Sequence, residues 1–170
     1  MENNSKTKLR RLTRIAMISG AYVVLSTVLA PISFGPVQFR VAEALTLWAI
    51  FGYDYAFGLT LGCAISNFVG VATGANPAGM MDVIFGSMAT LIAGILCYHF
   101  RNIKTFDQPI LSASMAAIVN AIIIPMELVI AMDTPDSLPL FAAQVFIGEA
   151  AVVFLIGLPL YNLYCQRVRD

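Results

Sequence analysis

The chain has 170 residues, 59% of them hydrophobic and 12% charged, with a formal net charge of zero. Soluble domains carry about 25% charged residues. This composition, with a mean hydropathy of +0.81, therefore excludes an ordinary soluble domain and predicts an integral membrane protein the size of one helical bundle. Cys63, Cys97 and Cys165 stand singly, with no CxxC and no metal spacing. They read as packing residues, so no metal and no cofactor is expected. The basic N-terminus is the usual flank of a first membrane helix, and nothing points to nucleic-acid binding.

The predicted fold class is an all-α membrane protein: a compact bundle of six transmembrane helices with both termini cytoplasmic. Helices are expected because lipid leaves few other ways to satisfy every backbone group. A basic N-terminus covers 1–12, the membrane domain 13–164 and a short tail 165–170. The first helix covers 13–32 and stops at the prolines of 31–36. Pro31 directly after Val28-Leu29-Ala30 makes a poor signal-peptide cleavage site, so this helix is expected to stay. The second covers 41–51, and eleven residues at the α-helical rise reach only ~16 Å, about half the hydrocarbon thickness. Gly52-Tyr53-Asp54 turns into a third helix over 55–73, which ends at Thr73-Gly74-Ala75-Asn76-Pro77. The fourth covers 78–98, the fifth 111–132 with a kink expected at Pro125, and the sixth 138–164 with Pro159 near its end.

Charge sets the orientation. With the N-terminus in the cytoplasm, six crossings place Lys6, Lys8, Arg10, Arg11, Arg14, Arg101, Lys104, Arg167 and Arg169 inside. That leaves Arg40 as the exception among the ten Lys and Arg residues. Glu43, Asp82, Glu127, Asp133, Asp136 and Glu149 fall in the outer half, with Asp133 and Asp136 read as solvated loop residues.

Arg40 lies in Phe34-Gly35-Pro36-Val37-Gln38-Phe39-Arg40-Val41-Ala42-Glu43-Ala44-Leu45, where Pro36 stops a helix and Gln38, Arg40 and Glu43 follow. Charges beside hydrocarbon are expensive, by at least ~2.5 kcal/mol each on insertion scales, so they mark a functional site by default. The plain alternative is an internal Arg40–Glu43 pair with no ligand. Asn67, Asp82, Asn120, Glu127, Gln144 and Glu149 bring polar groups from four further segments to the same level, which reads as a pocket open outward. Inter-helix glue is the plain alternative for Asn67, Asn120 and Gln144, and a helix N-terminal charge for Asp82. The candidate ligand set is therefore Gln38, Arg40, Glu43, Asn67, Asp82, Asn120, Glu127, Gln144 and Glu149. Carboxylates and amides of this kind suit a ligand with hydrogen-bond donors or a positive charge. Tyr22, Phe34, Phe39, Trp48, Phe68 and Phe85 could stack on a flat ring or pack the core. Trp48 follows the loop closely, so a ligand closing that loop is expected to change its fluorescence.

No G-x-x-x-x-G-K-S/T is present, so the chain cannot use ATP by itself; there is no H-E-x-x-H, and no serine or cysteine nucleophile has a nearby base. An enzyme is disfavoured. Gly58-x-x-x-Gly62 and Gly70-x-x-x-Gly74 permit close helix contact, read as packing within the chain. Ala16-x-x-x-Gly20, with Ala21 beside it, offers a flat face for bundle packing or for docking another membrane protein.

These residues carry a resemblance. The chain resembles the substrate-binding S-components of energy-coupling factor (ECF) transporters. The run 35–45, with Asn76-Pro77 and Met81-Asp82-Val83-Ile84-Phe85-Gly86, is similar to the QueT family, associated with queuosine precursors. The resemblance implies a multi-pass protein of the cell membrane. Its partners would be a transmembrane coupling protein and two cytosolic ATPases, and its ligand a 7-deazapurine such as queuine or its cyano or aminomethyl precursor. It also implies that an AxxxA-type face, here Ala16 and Gly20 with glycine in second place, meets the coupling protein. The loop holding Gln38 to Glu43 would help close the pocket, with Arg40 and Glu43 as its latch. Two other readings stay open: an S-component for another vitamin or flat amine, and a stand-alone proton-coupled transporter.

Overall fold

The computed structural model describes residues 2–34 and 39–169, with side chains for 5–34 and 39–167. The described residues are helical throughout, apart from turns and one isolated bridge between Thr105 and Gln108. Helix α1 spans Glu2–Val28, so the basic N-terminal stretch is already helical, in keeping with the good helix propensity of Lys, Arg and Leu. It ends three residues before Pro31, and a separate turn, α2 (Ala30–Ser33), follows. Proline cannot donate to the ladder and disfavours helix in the residue before it, which is why the expected helix over 13–32 comes in two pieces.

Next is Val41–Phe51, with the expected bounds but a different geometry: it is a 3-10 helix. At ~2.0 Å per residue it reaches ~22 Å, longer than an α-helix of that length and still short of a bilayer core. Its three-residue period stacks side chains in rows. Glu43, Thr46 and Ala49 form a row that is buried throughout, and Ala42, Ala44 and Leu47 are buried as well. This short rod is the axis of the bundle, in contact with α1 and with all four long helical segments that follow.

Those segments are α3 (Tyr53–Ala72), α4 (Met80–His99), α5 (Ile110–Met132) and a last segment in three parts: α6 (Leu138–Val152), a π-turn (Val153–Gly157) and α7 (Leu158–Arg169). A 3-10 turn (Pro135–Ser137) leads into α6. α5 continues through Pro125. In the last segment Pro159 removes a donor just beyond the π-turn. The π-turn brings Gly157 so close to the central rod that an added Cβ would stand 2.8 Å from the Ala44 carbonyl oxygen. α4 starts at Met80 rather than 78, after Pro77 and after Gly79. The left-handed φ of Gly79 (67°) with ψ −148° is open in practice only to glycine.

By length and composition, four stretches can cross a membrane: Tyr53–Ala72, Met80–His99, Ile110–Met132 and Pro135–Arg167. Val41–Phe51 is apolar but short, and α1, whose first half carries Lys6, Lys8, Arg10, Arg11 and Arg14, is not among the four. Packing between α1 and α3 follows from small residues. Ile18, Ser19, Tyr22 and Ser26, at three- and four-residue spacing, form the buried stripe of α1. They meet Gly58 and Gly62, where a Cβ would collide with Ile18 and fall 2.7 Å from Tyr22 Cβ, respectively. The Ser19 hydroxyl donates to the Gly58 carbonyl at 2.6 Å across this contact. Gly58-x-x-x-Gly62 is thus an internal packing motif. Gly70 does the same for the Phe34 ring and Asn76, and Gly74 belongs to the turn after α3, with φ 72°.

Aromatic side chains gather at the basic end. Trp48 meets Tyr164 at 6.3 Å, Phe51 contacts Tyr55, Tyr161 and Tyr164, and Tyr53 meets Tyr98 at 4.2 Å with Arg101 over the Tyr98 ring. Amphipathic rings beside cations are the usual furniture of a membrane–water interface. Arg11 pairs with Asp54 here, joining the starts of α1 and α3 at the surface.

Candidate binding site

The polar side chains expected at one level do converge, in two separately bonded groups and one looser one. The first is built on Asp82, in the opening turn of α4. Arg40, at the head of the 3-10 rod, pairs its guanidinium NH2 with Asp82 Oδ2 at 2.5 Å. Asn76 Nδ2 donates to the same oxygen at 2.7 Å, and Asn67 Nδ2 donates to the Asp82 backbone carbonyl at 2.7 Å. Asn76 is itself fixed by the Ala78 N–H, which donates to its Oδ1 at 3.1 Å. The Phe34 ring lies against the Arg40 guanidinium, 5.6 Å from centroid to Cζ. All five side chains are buried. Gly86, one turn on, leaves the room that this group needs. A Cβ there would collide with Asp82 Oδ1 and fall 2.8 Å from Asn67 Nδ2. Gly86→Ala is therefore expected to lower stability by ~1–3 kcal/mol, the range for overpacking, although alanine is the better helix former. A thermal unfolding midpoint at or above wild type would contradict this.

The second group is built on Glu43, which is fully buried. The Tyr22 hydroxyl donates to Oε1 at 2.5 Å, Thr90 Oγ1 to Oε1 at 3.1 Å, and Thr46 Oγ1 to Oε2 at 2.6 Å. Thr46 reaches Glu43 because the 3-10 period stacks i directly on i+3. Three hydroxyls from α1, the rod and α4 thus satisfy this carboxyl within the fold. The internal Arg40–Glu43 pair, the plain alternative, is not formed: Arg40 turns to Asp82, and Glu43 ties α1, the rod and α4 together. Reasoning from sequence missed Thr46, Thr90 and Asn76 as members. Thr90 lies two helical turns past Asp82 on one face of α4, a spacing that could have shown it, whereas the Thr46 contact depends on the 3-10 geometry.

The third group comes from α5 and α6. Asn120 hydrogen-bonds Glu149 across the two helices. Both side chains and Glu127 are buried, and Gln144 is half-buried. Among the described residues, Glu127 Oε1 and Oε2, Glu149 Oε2, Asp82 Oδ1, Asn120 Oδ1, Gln144 Oε1 and the Arg40 Nε are buried without a hydrogen-bond partner. Buried polar atoms are rarely left so, and here all but one are acceptors. The cluster can therefore receive several N–H donors or a cation. Gln38 lies outside the described residues. Of the aromatic candidates, Tyr22 and Phe34 belong to the cluster, while Phe39, Phe68 and Phe85 are exposed. Trp48 sits eight residues along the rod from Arg40, ~16 Å away, in a groove with Met17, Ala21 and Tyr164. It reports on that face and not on the cluster. Ala16 and Gly20 are exposed on α1, and a Cβ at Gly20 would meet nothing within 4 Å, so neither packs the bundle.

A helical chain with four spans of membrane-crossing length, which buries ionisable side chains inside its bundle, is a multi-pass membrane protein organised around a polar core. A family model described as QueT transporter matches residues 12–166, and the chain belongs to the QueT transporter family. It is 38% identical over 89 residues to the queuosine precursor transporter QueT of Lactococcus lactis subsp. cremoris. That alignment covers 51% of this chain and 48% of the relative, so the chain matches about half of that relative's length. No solved structure matches.

Proposed function

We propose that the chain is the substrate-binding S-component of an ECF-type importer, and that it captures a 7-deazaguanine precursor of queuosine at the buried cluster. The observation that carries this is the surplus of unpartnered acceptors on Glu127, Glu149, Asp82 and Asn120. The ring N–H and exocyclic amino group of a guanine-like edge present adjacent donors, which carboxylates accept in pairs. An amine on the ligand would meet the remaining negative charge. The likeness to the Lactococcus relative, a queuosine precursor transporter, favours the same ligand class. Six crossings, with both termini and the basic end in the cytoplasm, would put Arg40, Asp82 and Glu127 toward the outside. The chain carries no phosphate-binding loop, so release inward falls to a coupling protein and two ATPases, docked on the exposed Ala16 and Gly20 face.

The test is calorimetric titration of the purified chain with queuine and its cyano and aminomethyl precursors, beside thiamine and riboflavin. One deazaguanine is expected to bind selectively. Glu149→Gln and Glu127→Gln should each weaken it roughly 10- to 100-fold, since a hydrogen bond to a charged group is worth ~1.5–3 kcal/mol. Full affinity in both variants would sink the carboxylate assignment. Selective binding of thiamine or riboflavin would move the site to another ligand class.

A further inference from the structure

Between α4 and α5 the surface is indented by an apolar groove of about 240 Å³. Phe85 and Met88 form one wall, and Ile123, Met126 and Ile130, at three- and four-residue spacing, form the other. Glu127 also lines the groove. It is 2% exposed, and neither of its carboxyl oxygens has a hydrogen-bond partner among the described residues. Phe85 and Glu127 both lie five residues from the near ends of their helices, ~7.5 Å along the axis, so the carboxyl and the apolar walls share one depth. Met88, Met126 and Ile130 are exposed on the flank of the bundle, so the groove faces the lipid side.

An apolar trough with one buried carboxyl and, among the described residues, no cation on its walls suits a particular occupant. A neutral chain would fill the trough and leave the carboxyl unpaired, and an anionic amphiphile would be repelled. We propose that the α4–α5 groove is a lipid-side binding site for an amphiphilic amine, with the chain on the apolar walls and the ammonium group on Glu127. The amine can belong to a free alkylamine or to a lipid headgroup. Glu127 is shared with the binding cluster, so occupancy of the groove and of the cluster would interfere.

The test places the full chain in phosphatidylglycerol nanodiscs and follows modification of Glu127 by dicyclohexylcarbodiimide, a reagent that reaches carboxyls from the lipid phase. Peptide mass spectrometry gives the readout. Asp136, exposed before α6, serves as control for loss of reagent. Dodecylammonium is expected to protect Glu127 at a concentration about tenfold below that needed for dodecanol, as one charge-assisted contact would give, and to leave Asp136 unchanged. Protection that also appears on exchanging part of the lipid for phosphatidylethanolamine would assign the amine to a headgroup. Protection by dodecylammonium alone would assign it to a free amine. Equal protection by dodecanol would overturn the proposal, leaving an apolar trough that takes any chain. So would a Glu127 that the reagent never modifies, or one that no amine protects. The deazaguanine titration is read separately, so failure of either leaves the other standing.

Discussion

Arg40→Met should lower stability by ~3–5 kcal/mol, the range for removing one partner of a buried ion pair. Arg40 and Asp82 are 3% and 1% exposed, and Asp82 would keep one side-chain donor, Asn76, for a charge that water cannot reach. Asp82→Leu should be similarly damaging, because it strands the guanidinium. The double variant Arg40→Met/Asp82→Leu is expected to recover much of the loss, since a buried pair and an apolar pair of similar volume are often close in stability. It should not recover all of it, because Asn76 then loses its acceptor, at ~1–3 kcal/mol. Unfolding of the four proteins in one detergent gives the coupling energy. Single variants within ~1 kcal/mol of wild type, or additive losses in the double variant, would show that the pair does not hold the head of the rod to α4. The ligand consequence is separate: loss of the pair releases the head of the rod from α4, so affinity should fall even where the fold survives.

The second large effect is expected where stability hardly moves. Gly20→Trp and Ala16→Trp change exposed positions, and surface substitutions of this kind usually stay within ~0.5 kcal/mol. If this face meets a coupling protein, a large ring there prevents the close backbone approach that small residues allow. Ligand binding by the isolated chain should then match wild type, while uptake in cells supplying the partners falls to background. Gly20→Ala should retain most uptake. Trp48 lines the adjoining groove with Met17 and Ala21, so its emission is expected to shift when partners bind and to stay still when ligand binds alone. Wild-type uptake by both tryptophan variants would remove this face from the docking surface.

Much of the architecture was legible because hydrocarbon leaves the chain few choices. The apolar runs, their interruption by Pro31 and Pro77, and the collection of nine basic residues away from Arg40 all follow from composition along the chain. The bounds of the short segment Val41–Phe51 came out as expected for the same reason. Its 3-10 geometry did not, because no local propensity demands it. The rod is buried among helices close enough for Gly157 to abut Ala44, and tertiary packing of that kind overrides local preference.

The candidate site divides along the same line. That Arg40, Glu43, Asp82, Glu127 and Glu149 belong together could be read from the sequence, since each is expensive beside lipid and they share a depth. Which of them pair could not be read, because sequence distance says nothing about whether Arg40 faces Glu43, three residues on, or Asp82, forty-two residues on. The tertiary structure decided for Asp82. It gave Glu43 three hydroxyls and made it part of the scaffold, and it left both oxygens of Glu127 and Oε2 of Glu149 without partners among the described residues. By itself, then, the sequence determined a membrane protein with a costly polar core. Only the packing of α1, the rod and α4 decided which charges are spent on holding the bundle together and which are left without a partner inside it.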